Sequence, residues 1–237
     1  MSTLWSRVTS GTTGRWSFWK FNWLANHKMI RALERVAPHA GGTLLDAGCG
    51  SMPFASVFRG RVERYVGADL PGSHDFWGAS PHVFATAEAM PFRDGSIDTY
   101  LAVSLFNYLA EPDRVLAEAR RLVRPGGVAL IEFPQTLPLD DEDPDYFRYT
   151  RHGAELLLRR HGFEPIEFVP VGSLPARVGL SIIGALRRVN RGPTRVLTEL
   201  PVRLLYVLVQ LSCELLDRAF FNPDEVLANV VAARRTS

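Results

Sequence analysis

Two cysteines, Cys49 and Cys213, are too few and too far apart for a disulfide framework, and no C-x-x-C pair offers a zinc or redox site. That usage suits a reducing cytoplasm, the compartment expected for this chain. The histidines, at 27, 39, 74, 82, 152 and 161, share no ligand spacing, so no metal is expected. "MSTLWSRVTSGTTGRWSFWK" lacks an apolar h-region and does not read as a secretory signal. In the apolar late part the longest uncharged run, 204–213, has ten residues, against the roughly 20 a bilayer span needs. There is no internal repeat or low-complexity tract.

Charge is unevenly spread. The net +2 of the 237 residues conceals +5 over residues 1–35, −7 over 36–170 and +4 over 171–223. Two basic segments therefore flank an acidic middle. Such segments attract anionic surfaces, but no recognised nucleic-acid module accompanies them, so nucleic acid is not expected as a partner.

From residue 43 short apolar runs alternate with amphipathic stretches, the pattern of parallel strands joined by helices. Strands are expected at "TLLDAG" (43–48), "RYVGADL" (64–70), "HVFAT" (82–86), "IDTYLAVS" (97–104), "VALIEF" (128–133), "FEPIEFVPV" (163–171) and "VLANVVAAR" (226–234). The prolines of 163–171 suit an edge strand. A helix from Pro112 carries Val115, Leu116, Ala119, Leu122 and Val123 at helical spacing and is expected to stop at Pro125-Gly126-Gly127. Thr150 is placed to cap a helix over 151–161.

The stretch "LLDAGCGSMP" (44–53) ends a strand in an acid and breaks into a glycine turn. Gly48 and Gly50 remove side chains where the backbone approaches a ligand. A dinucleotide fingerprint would add a glycine at 53, where Pro53 stands, which weighs against the rival ligand NAD. Asp69 follows Asp46 by 23 residues at the end of the second strand, and an ionised carboxylate there can accept both hydroxyls of a ribose.

With Asp46, Gly48 and Gly50, Asp69, "AEAMPF" (87–92) and "RPGG" (124–127) in this order and spacing, the chain resembles the class I S-adenosylmethionine-dependent methyltransferases, and most closely their type-11 domain. The resemblance covers roughly residues 40–170 and the terminal strand. It implies an α/β, Rossmann-like sheet of seven strands, the last running antiparallel between the fifth and sixth, with a helical insertion before it. It implies S-adenosyl-L-methionine as cofactor, Asp46 toward its amine, and Gly48, Cys49 and Gly50 along the methionine and sugar. Asp69 falls at the ribose and Glu88 at the adenine, with Leu70, Ala87 and Ser104 also among the cofactor-binding residues. At position 86 the family usually has an acid; here Thr86 is a weaker acceptor.

The segment "DPDYFRYT" (143–150) is similar to one in type-11 members associated with bacterial surface-polysaccharide synthesis. Asn107, Tyr108, Tyr146, Arg148 and Tyr149 are the acceptor-side candidates. Asp143, Asp145 and His152 are unranked candidates for a base, and no catalytic residue is assigned. The expected reaction is methyl transfer to an oxygen of a glycan, lipid-linked or apolar small-molecule acceptor. The alternatives are a soluble natural-product or small-molecule methyltransferase and a catalytically degenerate, cofactor-binding interaction protein.

Three regions are expected: a helical N-terminal segment (1–38), the core (39–172 with 224–237) and an amphipathic helical insertion (173–223). In 201–218, taken as a helix with Pro201 in its first turn, Arg203, Gln210, Glu214 and Asp217 share one sector of about 60° at 100° per residue. In 176–191, Arg177, Arg188 and Arg191 oppose Val178, Ile182, Leu186 and Val189. These helices roof the sheet or form a homodimer interface in one reading. In the other they lie peripherally on the inner face of the membrane, aided by tryptophans at 5, 16, 19 and 23 beside Arg7, Arg15 and Lys20.

Overall fold

The computed structural model describes residues 19–71, 81–137, 144–190 and 195–237. Apolar runs form strands β1 (Thr43–Ala47), β2 (Arg64–Asp69), β3 (Val83–Phe84), β4 (Ile97–Ala102), β5 (Val123–Pro134), β6 (Phe163–Val171) and β7 (Ala228–Arg235). Helices are α1 (Trp23–Val36), α2 (Pro112–Leu122), α3 (Arg151–Arg160), α4 (Leu174–Val189) and α5 (Arg195–Ala219). The strands make one sheet in the order β3-β2-β1-β4-β5-β7-β6. The pairs β1–β2, β1–β4, β2–β3 and β4–β5 are parallel, and β5–β7 is antiparallel from Val128↔Arg234 to Pro134↔Ala228. This is the expected seven-stranded sheet, with the last strand between the fifth and sixth and the proline-bearing β6 at the edge.

The described residues fall into two compact units, one of Ala32–Val169 with Ala228–Ser237, the other of the chain up to Arg31 with Pro170–Leu227. In the sheet unit β5 is buried from Val128 to Pro134, as a strand covered on both faces must be. One face packs Leu45, Ala68, Tyr100, Ala129, Ile131 and Phe133 against Val115, Leu116, Ala119 and Leu122 of α2 and Ala154 and Leu158 of α3. Pro112 sits in the first turn of α2, where no backbone donor is needed. Thr150 caps α3, its hydroxyl accepting the Gly153 N–H at 3.1 Å.

Pro125-Gly126-Gly127 does not stop α2, which ends at Leu122; the three residues lie inside β5. Val123 pairs with Ile97 and Val128 with Thr99, so the pairing skips there, and Gly126, at φ +77°, absorbs the extra length.

In the helical unit the polar sector of α5 is turned inward. Lys28 Nζ lies 2.6 Å from Glu214 Oε2 and 2.7 Å from Asp217 Oδ2. Asp217 Oδ1 accepts the Ser173 backbone N–H at 2.7 Å and the Ser173 hydroxyl at 2.6 Å. Gln210 accepts the Leu24 N–H and donates to the Lys20 carbonyl, each at 2.9 Å. Gly179 lets α4 press close, since a Cβ there would stand 2.9 Å from Cys213 Sγ and 3.2 Å from Leu24 Cδ2. On the opposite side Leu200, Leu204, Leu208, Leu211 and Leu215 are 43–65% exposed.

Two expectations for these helices change. α5 begins at Arg195, so Pro201 lies inside it rather than in its first turn. α4 buries Ala176, Gly179 and Ile183, while Val178 and Ile182 face solvent beside Arg177. Trp5, Trp16 and Arg191 lie outside the described residues.

Candidate active site

Four neighbouring parallel strands deliver the site residues at their C-terminal ends. Asp46 stands in register with Gly67 on β2 and Leu101 on β4, and Leu101 with Leu130 on β5. Side chains alternate along a strand, so Asp69 and Glu132, each two residues beyond that row, share its face. This is the face opposite the α2 and α3 core. Three carboxylates, Asp46, Asp69 and Glu132, therefore occupy one face of the sheet.

The loop after β1 folds over the same face. A Cβ on Gly67 would stand 2.8 Å from both Cys49 Sγ and Met52 Sδ. Gly48, Gly50 and Met52 all have positive φ, at 69°, 49° and 53°. A Cβ on Gly48 would crowd Leu105 Cδ1 at 3.1 Å, whereas one on Gly50 would meet nothing within 4 Å. Gly50 thus looks into open space that its missing side chain leaves clear. The loop is tied to β2, because Gly48 and Cys49 donate to the Ala68 carbonyl at 2.9 and 3.1 Å. Burial pushes the Cys49 thiol up to about 12, so it stays neutral at physiological pH.

Asp69 holds this loop directly. Its Oδ2 accepts the Gly50 N–H and its Oδ1 the Leu70 N–H, both at 2.7 Å. A carboxylate offers about four lone-pair positions, so two such bonds leave room for a diol. Beside it Leu70, which follows β2, and Phe84, which pairs with Asp69, are each 56% exposed. Phe84 is a candidate the sequence reading misses; its signal is the pairing of the last β3 residue with Asp69.

Asp46 is 3% exposed and accepts the Tyr65 hydroxyl at 2.5 Å. Burial raises its pKa to about 7; the Tyr65 bond opposes that rise and the nearby Asp69 charge adds to it. On the β3 side, Glu88 is exposed, donates its N–H to Thr86 Oγ1 at 3.3 Å and pairs with Arg114 at 3.5 Å. Ala87 is half-buried next to it.

After β4, Ser104 takes the left-handed conformation at φ +54° and donates its N–H to Glu132 Oε2 at 2.7 Å. The Asn107 carbonyl accepts the Tyr146 N–H at 2.7 Å, joining the two acceptor-side segments, while the Tyr108 N–H donates to Leu105. Arg148 grips Asp145 with both carboxylate oxygens, at 2.5 and 2.6 Å, and donates to the Leu137 carbonyl. Tyr149 is core: its hydroxyl donates to the Phe106 carbonyl at 3.1 Å and its ring packs edge-on to Phe133. Tyr146 and His152 are exposed, and Asp143 lies outside the described residues. A cleft of about 400 Å³ opens beside Pro112, Asp113, Phe147, Leu156 and Arg160, and none of the three carboxylates lines it.

Residues 45–131 match the methyltransferase-domain family. An uncharacterized methyltransferase of Mycolicibacterium vanbaalenii is 34% identical over 137 residues, covering 53% of this chain and 53% of that protein. Over residues 45–131 the chain is therefore similar to a methyltransferase domain. The match spans about half the length of such curated relatives.

Solved structures share the domain's fold. A Burkholderia thailandensis 1,6-didemethyltoxoflavin-N1-methyltransferase, with bound 1,6-didemethyltoxoflavin and S-adenosylhomocysteine, aligns at TM-score 0.53 and 16% identity, covering 90% of this chain and 79% of that one. A geranyl diphosphate methyltransferase in complex with GPP and sinefungin aligns at TM-score 0.56 and 16% identity, covering 89% and 78%. At these identities the likeness is one of fold.

Proposed function

We propose that the protein binds S-adenosylmethionine along the β1–β2 ends and methylates an oxygen of a glycan, lipid-linked or apolar small-molecule acceptor. The observation carrying this reading is the Asp69–Gly50 clasp, beside open space and two exposed apolar side chains. Asp69 would hold the ribose hydroxyls, Leu70 and Phe84 would flank the adenine, and Asp46 would face the cationic amino-acid end. When bound, the cofactor supplies an electrophilic methyl on a sulfonium. The chain's part is alignment, placing the acceptor oxygen in line with that methyl. Calorimetry with S-adenosylmethionine tests it: wild type binds, and Asp69→Ala, still folded, loses most of the affinity. Equal binding by both, or preference for NAD, overturns it. Incubation with methyl-labelled cofactor and fractionated cell extract then shows whether label enters lipid, glycan or small molecules.

The acceptor's lipid-linked character is favoured by the helical unit. Leu174, Val178 and Ile182 of α4 and the leucine stripe of α5 face outward, while Glu214 and Asp217 are turned in. Among the described side chains, the exposed charges of these two helices are Arg177, Arg187, Arg188 and Arg218. An apolar face whose exposed charges, among the described side chains, are cations complements an anionic lipid surface, each cation contributing about 1 kcal/mol there. Among the described residues no helix is long and apolar enough to cross a membrane, so the attachment proposed is peripheral. Flotation with anionic and neutral vesicles reads it directly: binding is expected on anionic vesicles, weakened by salt and by replacing Arg177, Arg187 and Arg188 together. A protein that stays unbound, or a stable homodimer sealed through the leucine stripe, overturns the membrane reading.

A further inference from the structure

Glu132 is the carboxylate the family resemblance does not account for. It lies in β5, 1% exposed, within a strand otherwise made of Val, Ala, Leu, Ile and Phe from 128 to 133. Burying an acid there costs several kcal/mol unless its oxygens find partners. One does: Oε2 accepts the Ser104 N–H. The other, Oε1, is solvent-excluded and has no hydrogen-bond partner. Buried carboxylate oxygens rarely stay unpaired, and an exception asks for an explanation, of which a catalytic role is one.

Its position says what the partner would be. Glu132 shares a face with Asp46 and Asp69, and the strand order β2-β1-β4-β5 sets it three strands from Asp69. At about 4.8 Å per strand that is roughly 14 Å from the proposed ribose anchor. Asp46, one strand from Asp69, lies between them. Glu132 thus stands beyond the amino-acid end of the cofactor-side residues, where an acceptor would enter. The charged group reaching it is Arg148, which favours its ionised form; Asp145 and Tyr108 act on Arg148 in turn. Burial is the larger influence and raises its pKa to about 7, the range a general base needs near neutral pH.

We propose that Glu132 is the catalytic base of the reaction, its Oε1 receiving the proton of the acceptor's hydroxyl. The acceptor's O–H bond breaks and its proton passes to Oε1. The freed electron pair forms the new oxygen–carbon bond, and the carbon–sulfur pair stays with sulfur. Glu132 then passes the proton to water admitted as the products leave. Ser104, through its N–H on Oε2, fixes the carboxylate as a positioning residue. This rests on the methyltransferase reading above.

The test is a carboxyl titration by NMR on protein carrying ¹³C-labelled glutamate, assigned by its loss in Glu132→Gln. In ligand-free protein a resonance titrating near pH 7 is expected. In the complex with S-adenosylmethionine it falls by about one to three pH units relative to the complex with S-adenosylhomocysteine, which lacks the sulfonium charge. A carboxylate remote from the sulfonium would not distinguish the two. With the extract fraction that wild type labels, Glu132→Gln is expected to keep cofactor affinity and lose no thermal stability while methyl transfer falls about 10²–10⁴-fold. Titration near pH 4, equal values in the two complexes, or full turnover by Glu132→Gln overturns the assignment. Failure of wild type to bind S-adenosylmethionine by calorimetry instead sinks the reading beneath it.

Discussion

Tyr65 donates its hydroxyl to Asp46 from the neighbouring strand, at 2.5 Å, and opposes the rise that burial imposes on this carboxyl. Asp46 still titrates near 7, so its charge at physiological pH is set by small changes around it. Cofactor affinity is therefore expected to increase as pH rises through about 7, since a cationic amine prefers the ionised acid. Tyr65→Phe removes the bond, raises Asp46 further and moves this transition to higher pH. At pH 7 the loss is about 1 kcal/mol, or roughly fivefold. Calorimetry between pH 6 and 8.5 on both proteins checks it; identical profiles count against an ionised Asp46 in the complex.

The same carboxyl shapes the stability of the ligand-free protein. Asp46 is raised from 3.8 to about 7 on folding, so between those values the folded chain holds a proton the unfolded chain has lost. Stability from this group accordingly falls as pH rises through that window, and above it the buried charge is a cost. Asp46→Asn keeps the shape without the charge. It is expected to raise Tm at pH 8, by about 2–4 °C per kcal/mol recovered, and to change it little at pH 4. Scanning calorimetry at both values decides.

Among the described residues Lys28 is the cation that bridges Glu214 and Asp217 in the helical unit, with side-chain exposures of 11%, 6% and 1%. Lys28→Met leaves two buried acids facing one another. The expected cost is about 3–5 kcal/mol, seen as early loss of helical signal in a urea titration. The triple change with Glu214→Gln and Asp217→Asn recovers much of it. A neutral Lys28→Met would mean that the acids rely on Arg218 and Ser173 instead.

Arg148 and Tyr149 adjoin in sequence and differ in what they touch. Arg148→Ala releases Asp145 and the 137 carbonyl and is expected to impair methyl transfer with cofactor affinity nearly unchanged. Tyr149→Phe loses one buried hydrogen bond, to Phe106, and is expected to cost about 1 kcal/mol of stability. Label-transfer assays beside thermal melts separate the two effects. Full turnover by Arg148→Ala would make the segment before α3 purely structural.

The sheet was legible because its strands are either apolar throughout or bounded by glycine turns, and Asp46 and Asp69 stand where such strands end. Pro125-Gly126-Gly127 misled because the same residues that stop a helix also permit a bulge, and only the pairing with β4 chooses between them. Glu132 gave no signal: its partner Ser104 is 28 residues away, and an acid in an apolar run looks like a solvent-facing position. The inward turn of α5 was equally hidden. Periodicity places Gln210, Glu214 and Asp217 on one side, yet it is Lys28 and Ser173, far off in sequence, that draw that side inward.

The place of β7 fixes an order of events during synthesis. β5 and β6 cannot be joined until β7 slides between them, and 56 residues separate Val171 from Ala228. At about 5–20 residues per second a ribosome needs roughly 3–11 s to deliver them. Through that interval the nascent sheet carries two open edges while the two helices with the outward leucines emerge behind it. The chain thus shows its stickiest surfaces, sheet edge and apolar helix, to chaperones or to lipid before its fold can close.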